Sequence, residues 1–128
     1  MTAIVVVDAS ALAAVAFGEP LAADVVRRLS GRELVAPRLL AYELANTAWR
    51  KARKHPAQRA AIRAGLDRAL ADDFAIVWSD VDWAEVMDLA LAEDLTAYDA
   101  SYLWLARHLK AELVTLDAEL TAASTRPA

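Results

Sequence analysis

The chain has 128 residues, 58% hydrophobic and 25% charged, with 18 acidic side chains against 14 basic ones and a formal net charge of −4. The apolar share excludes a disordered chain, and the acidic balance excludes nucleic-acid binding by bulk charge, leaving only a local basic patch for that role. With no cysteine, a disulfide scaffold, a thiolate metal site and a cysteine nucleophile are excluded, and His55 and His108 alone are too few for a multi-histidine zinc centre.

Ile4 to Val7 is a short β-branched run, the pattern of a strand buried on both faces of a parallel sheet. Helix formers fill 9–17 and end at Gly18. Pro20 stands near the start of a second helix, about 20–29, closed by Ser30 and Gly31. A strand at 34–36 precedes Pro37 and a helix over about 39–54. Pro56 breaks that helix and opens the next, about 57–72. Residues 74–78 form a third candidate strand. Ser79, Asp80, Val81 and Asp82 make a capping box for a helix to about Glu93. Thr96, Ala97, Tyr98 and Asp99 make another, for a helix to about Lys110. A strand at 113–116 and a short helix after Asp117 complete the pattern, with a frayed tail beyond Ser124. Few glycines and prolines favour long helices. The alternation predicts one α/β domain over 1–128, an open parallel sheet of four to five short strands with helices on both faces. No run approaches the ~18 apolar residues of a membrane span, and the first eight residues lack a basic targeting region, so a cytoplasmic protein is expected.

Ligands of open α/β sheets bind beyond the carboxyl ends of the strands. Asp8 follows the first strand and Asp117 the last. Glu43 lies about one turn into the helix after the second strand. Asp99 opens the helix that returns the chain to the far edge. Topology therefore gathers four carboxylates at one rim. Two ionised carboxylates ~5 Å apart repel by roughly 3 kcal/mol at an effective dielectric of 20, so the cluster needs a cation or shared protons. An all-oxygen donor set suits Mg²⁺ or Mn²⁺, and such ions serve phosphodiester chemistry by activating water. Each acid also has a plainer reading: Asp8 and Asp117 as helix N-caps, Asp99 as the acid of its capping box, Glu43 as a solvated glutamate at a face boundary. Asp24, Asp67, Asp72, Asp73, Asp88 and Glu93 show no convergence and read as solvated surface.

Four segments also carry a resemblance: Ile4 through Asp8 and Ser10 to Leu12, Glu43 to Asn46, Leu95 through Asp99 to Tyr102, and Leu113 through Thr115 to Asp117. In this order they resemble the PIN-domain ribonucleases, and within them the VapC-type toxins of bacterial toxin–antitoxin pairs. The resemblance implies Asp8, Glu43, Asp99 and Asp117 as the acidic Mg²⁺ or Mn²⁺ site, with Asp8 and Asp99 as principal ligands. It implies Ser10 and Thr115 as hydroxyls supporting the carboxylates, although local backbone bonding would also explain them. Asn46 matches a position often polar in the family. The resemblance further implies an RNA substrate, a cognate antitoxin and a homodimer. Attack by metal-activated water would leave 5′-phosphate and 3′-hydroxyl ends.

RNA would need a basic approach to this acidic rim. Half of the basic residues fall within 50–68, as Arg50, Lys51, Arg53, Lys54, Arg59, Arg63 and Arg68. This stretch is either a solvated face or a phosphate-tracking patch, with Arg50, Lys51, Arg53 and Lys54 as the candidate RNA-binding residues. His55 reads as a surface or capping residue, and His108 as a cation near a helix C-terminus. Trp49, Trp78, Trp83, Trp104, Phe17 and Phe74 read as core or interface. A receiver domain would want paired acids after the first strand, but Ala9 follows Asp8. A haloacid-dehalogenase-type phosphatase would want an aspartate where Ser10 stands. The alternative that stays open is a non-catalytic PIN-like module that binds RNA or protein.

Overall fold

The computed structural model describes residues 2–71 and 73–128; the expected helix end at 72 and the surface reading of Asp72 lie outside them. Four parallel strands, β1 (Ile4–Val7), β2 (Glu33–Pro37), β3 (Val77–Ser79) and β4 (Glu112–Val114), form one sheet in the order β3-β2-β1-β4. The central strand is the most apolar. Val5, Val6 and Val7 are wholly buried, and Val6 pairs with Val35 on one side and Leu113 on the other. Among the described residues seven helices flank the sheet: α1 (Ala9–Ala16), α2 (Ala22–Leu29), α3 (Leu39–Lys54), α4 (Arg59–Leu70), α5 (Trp83–Glu93), α6 (Ala97–Leu109) and α7 (Ala118–Thr125). A 3-10 turn at Pro56–Gln58 leads into α4. The expected parallel α/β sheet and its element order are therefore present. Among the described residues no helix is long and apolar enough to cross a membrane.

Small residues let the layers approach. α1 buries Ala11, Leu12, Ala13 and Ala14, and α4 crosses it where Gly65 faces the α1 C-terminus. A Cβ at Gly65 would stand 2.4 Å from the Ala16 carbonyl oxygen, so this position has no room for a side chain. α6 packs along β1 and β2 and carries the large buried residues Tyr102, Leu103 and Leu105.

Several boundaries differ from the sequence expectations. Residues 74–76 are not strand, because Ala75 takes a left-handed conformation (φ 46°) that interrupts the extended run. The cap expected at Ser79 is three residues too early: Ser79 closes β3 opposite Pro37, and Asp82 caps α5 by accepting from the Glu85 N–H at 3.0 Å. Thr96 does cap α6, accepting from the Asp99 N–H. β4 ends at Val114 rather than 116, because the next residue's hydroxyl is drawn out of the ladder toward the first strand. Glu93 is not solvated surface: it is half-buried and paired with Arg107 and Arg126, at 3.5 and 2.7 Å. Those two guanidiniums, led by the Arg126 hydrogen bond, hold its carboxyl below the usual range. The tail expected to fray is thus fastened at Arg126. Of the tryptophans read as core or interface, Trp49 and Trp83 are exposed and so are not core, whereas Trp104 stacks on His108 at 4.7 Å. His55 is the C-cap of α3.

Candidate active site

The centre of the site is Asp8, at the point where β1 becomes α1. Its carboxylate is buried, and three donors reach it. Oδ1 accepts from the Ser10 hydroxyl at 2.7 Å and from the Ala11 N–H at 3.0 Å, the latter capping α1. Oδ2 accepts from the Thr115 hydroxyl at 2.5 Å. Thr115 is itself buried, and its Oγ1 accepts the Asp117 N–H at 3.0 Å. The Ser10 hydroxyl in turn accepts the Leu116 N–H at 3.0 Å. Ser10 and Thr115 therefore sew the end of β1 to the segment after β4, and both donate to the Asp8 carboxylate. Among the described residues no buried side-chain polar atom lacks a hydrogen-bond partner, so this knot is fully satisfied.

The other acids arrive on separate elements. Asp117 caps α7, with Oδ1 accepting from the Leu120 N–H at 2.9 Å, which leaves Oδ2 uncommitted by the cap. Asp99 sits in the first turn of α6. Glu43 stands on α3, and its Oε1 accepts the Tyr102 hydroxyl at 2.5 Å. That bond ties α3 to α6 across the cleft. Asp8, Glu43, Asp99 and Asp117 all line one cleft of about 760 Å³, with Ser10, Asn46 and Arg50 also on its walls. Thr115 lies behind it. Lys51, Arg53 and Lys54 are not among its lining residues. Lys51 pairs with Glu19 at 2.8 Å and lies over the Phe17 ring. Arg53 lies over the Trp49 ring at 4.8 Å.

Like charge and burial act together here. Burial is the main cause holding Asp8 above the usual carboxylate range, against its three hydrogen bonds, with Asp117 adding to the shift. Glu43 is raised by burial and, secondarily, by Asp99 and Asp8, against the Tyr102 bond. Asp99 is raised by burial and then by Asp117, Asp8 and Glu119. Burial foremost, then Glu43, pushes the Tyr102 phenol far above its ordinary value, so it stays a proton donor. Three of the four acids are thus held above their ordinary values. Among the described residues no group of three or more His, Cys, Asp or Glu side chains is drawn together closely enough to hold a metal ion.

Sequence reasoning missed Tyr102, Glu19 and Glu119. Tyr102 had a signal, since it lies three residues after Asp99 on one helix face. Glu19 had none, because the loop after α1 sets its position, whereas Glu119 stands in the first turn of α7, two residues after Asp117.

A family model described as the PIN domain matches residues 5–125. The chain is 35% identical to the protein named Ribonuclease VapC3 of Pyrobaculum aerophilum, over 90% of each sequence. It is 38% identical to the protein named Exonuclease VapC9 of the same organism, over 91% of this chain and 82% of that one. The crystal structure of PAE2754 from Pyrobaculum aerophilum superposes with a TM-score of 0.79 at 34% identity, covering 98% of this chain and 87% of that one.

Proposed function

The chain belongs to the PIN-domain family, and from that premise we propose that it is a divalent-metal-dependent endoribonuclease, the toxin of a toxin–antitoxin pair, working as one unit over 1–128. The carrying observation is that Asp8, Glu43, Asp99 and Asp117, distant in the chain, line one cleft. The donor chemistry fits a hard ion: four carboxylates, no imidazole and no thiolate, three of the four held above their ordinary pKa. Asp8 and Asp99 would be the principal ligands of Mg²⁺ or Mn²⁺, with Asp117 and Glu43 completing the set. Bound there, the ion supplies charge neutralisation and a water of lowered pKa.

The chain's own residues do the rest. Ser10, Thr115 and the Ala11 amide hold Asp8 in one rotamer, so the principal acid needs no reorganisation. Tyr102 fixes Glu43 by its hydroxyl. Asn46 and Arg50, on the same face of α3 as Glu43, supply donors for phosphate oxygens. Arg53 and Lys54 continue along that helix as a basic approach, while Lys51 is engaged by Glu19. In this reading the partners are RNA, a cognate antitoxin that covers the cleft, and a second copy in a homodimer.

The test is incubation with total cellular RNA and with a circular RNA, in Mg²⁺ or in EDTA, beside Asp99→Asn. Cleavage of the circle that needs metal and Asp99, leaving 5′-phosphate ends, is expected. Degradation confined to free ends would make the enzyme an exonuclease, as the name of one relative has it. A cyclic-phosphate product would refute water attack. No cleavage at all would leave a binding module.

A further inference from the structure

Three tyrosines line the acidic cleft, and they differ in kind. Tyr102 is buried and its hydroxyl is engaged by Glu43. Tyr42 and Tyr98 also line the cleft, yet stand 76% and 62% exposed. Each immediately precedes a cleft acid: Tyr42 precedes Glu43 on α3, and Tyr98 precedes Asp99 on α6. The α3 residues on the cleft wall are spaced as one helical face, Leu39, Tyr42, Glu43, Asn46, Thr47 and Arg50. Tyr42 is therefore a planar apolar ring set among donors and acids. Tyr98 sits likewise in the first turn of α6. Isolated exposed aromatics are ordinary on protein surfaces, but two rings on two helices lining one polar cleft are not scattered.

We propose that Tyr42 and Tyr98 are base-stacking platforms, each taking one nucleobase of the strand whose phosphate lies at the acids. This deepens, and rests on, the nuclease reading. The reason is chemical. A strand presenting a phosphate to the acids must turn its flanking bases outward, and unstacked bases seek aromatic faces. The cleft offers rings at its walls and Arg50 for a neighbouring phosphate, the combination that binds nucleotides without hydrogen-bond readout of sequence. An antitoxin covering the cleft would meet the same rings, and the arms of the test separate that role from base stacking.

The test is fluorescence anisotropy of a labelled single-stranded RNA oligonucleotide and of its abasic counterpart, with Ca²⁺ to screen the acids, on wild type, Tyr42→Ala, Tyr98→Ala and both Phe variants. Each Ala variant should weaken binding to the normal strand by about 5- to 100-fold. The Phe variants should stay within about twofold, and all five proteins should bind the abasic strand alike. Both side chains are exposed, so melting temperatures should not move. Wild type that binds no oligonucleotide overturns the proposal. So do Ala variants that bind like wild type, or that lose equally on the abasic strand. Rings that alter only the grip on the antitoxin overturn it too, in favour of a protein-docking role. Hydrolysis of bis(4-nitrophenyl) phosphate with Mn²⁺ separates this from the nuclease reading: base binding that follows the rings without any hydrolysis defeats the nuclease and leaves the platforms.

Discussion

Replacing Thr115 by Val removes one hydroxyl and keeps the shape. The wild-type hydroxyl donates to the buried Asp8 carboxylate at 2.5 Å and accepts the Asp117 N–H at 3.0 Å. A hydrogen bond to a buried charge contributes about 1.5–3 kcal/mol, and a half-buried orphaned N–H costs about 1 kcal/mol more, so the metal-free loss is roughly 2–4 kcal/mol. Unfolding entropy of about 2.1 cal/mol/K per residue over this length converts that to a fall of roughly 8–15 °C in Tm. The assay is thermal melting by circular dichroism in EDTA at pH 7 and pH 5, with Thr115→Ser as the hydroxyl-retaining control. The pH arm has a definite sign. Asp8 is held above its ordinary value of 3.8, so its charged form costs stability at neutral pH, and that cost is relieved as pH falls through the folded-state value. Losing a donor to the charged form raises that value further, so the Val variant regains stability from a higher pH and its deficit shrinks at pH 5. A Val variant melting within about 2 °C of wild type at pH 7, or a deficit that widens toward pH 5, would refute the reasoning.

Mn²⁺ should raise the wild-type Tm, and the rise should vanish in an Asp8→Ala, Asp99→Ala double variant; an equal rise in both would mean the ion binds elsewhere. Asp99→Asn should abolish metal-dependent cleavage yet raise the metal-free Tm at pH 7 by a few degrees at most, because Asp99 is raised by burial and its acidic neighbours and is well screened by water. That gain should fade as pH drops, and differential scanning calorimetry across pH 5 to 8 reads it directly. Arg50→Ala should flatten the salt dependence of RNA affinity by about one unit of log–log slope, with Lys51→Ala doing less because Glu19 already engages Lys51. Gly65→Ala should destabilise by about 1–3 kcal/mol despite its better helix propensity, since the new Cβ meets a backbone oxygen at 2.4 Å. Urea denaturation checks that, and a stabilised variant would mean α1 and α4 do not touch there.

Hydrophobic pattern made the parallel sheet and the helices around it legible, and the order of the elements led the four acids toward one rim, where they line one cleft. The central run Ile4–Val7 could hardly be anything but a doubly covered strand. What pattern could not show was local competition. Phe74 and Ile76 look like strand, yet Ala75 between them takes a left-handed conformation that the pattern does not reveal. Ser79 looks like a cap, but pairing with Pro37 claims it first and Asp82 takes the role. Glu93 looked solvated because its cations lie 14 and 33 residues away. In the site, the plain and the chemical readings of Asp8 and Asp117 turned out compatible: both are helix caps and both line the cleft. Tyr102 shares a helix face with Asp99, but its bond to Glu43 was not legible because that partner is 59 residues distant.

Asp8 is at once the cap of α1, the acceptor that draws the β4 exit toward β1, and the innermost acid of the cleft. An organism escaping such a protein by mutation therefore meets unequal routes. Lesions at Asp99 would yield inert chains that still accumulate and still titrate whatever binds the folded form. Lesions at Asp8 would strike cohesion and chemistry together, and their products would be cleared by proteases. A screen for survivors scored by immunoblot should divide the two positions by abundance.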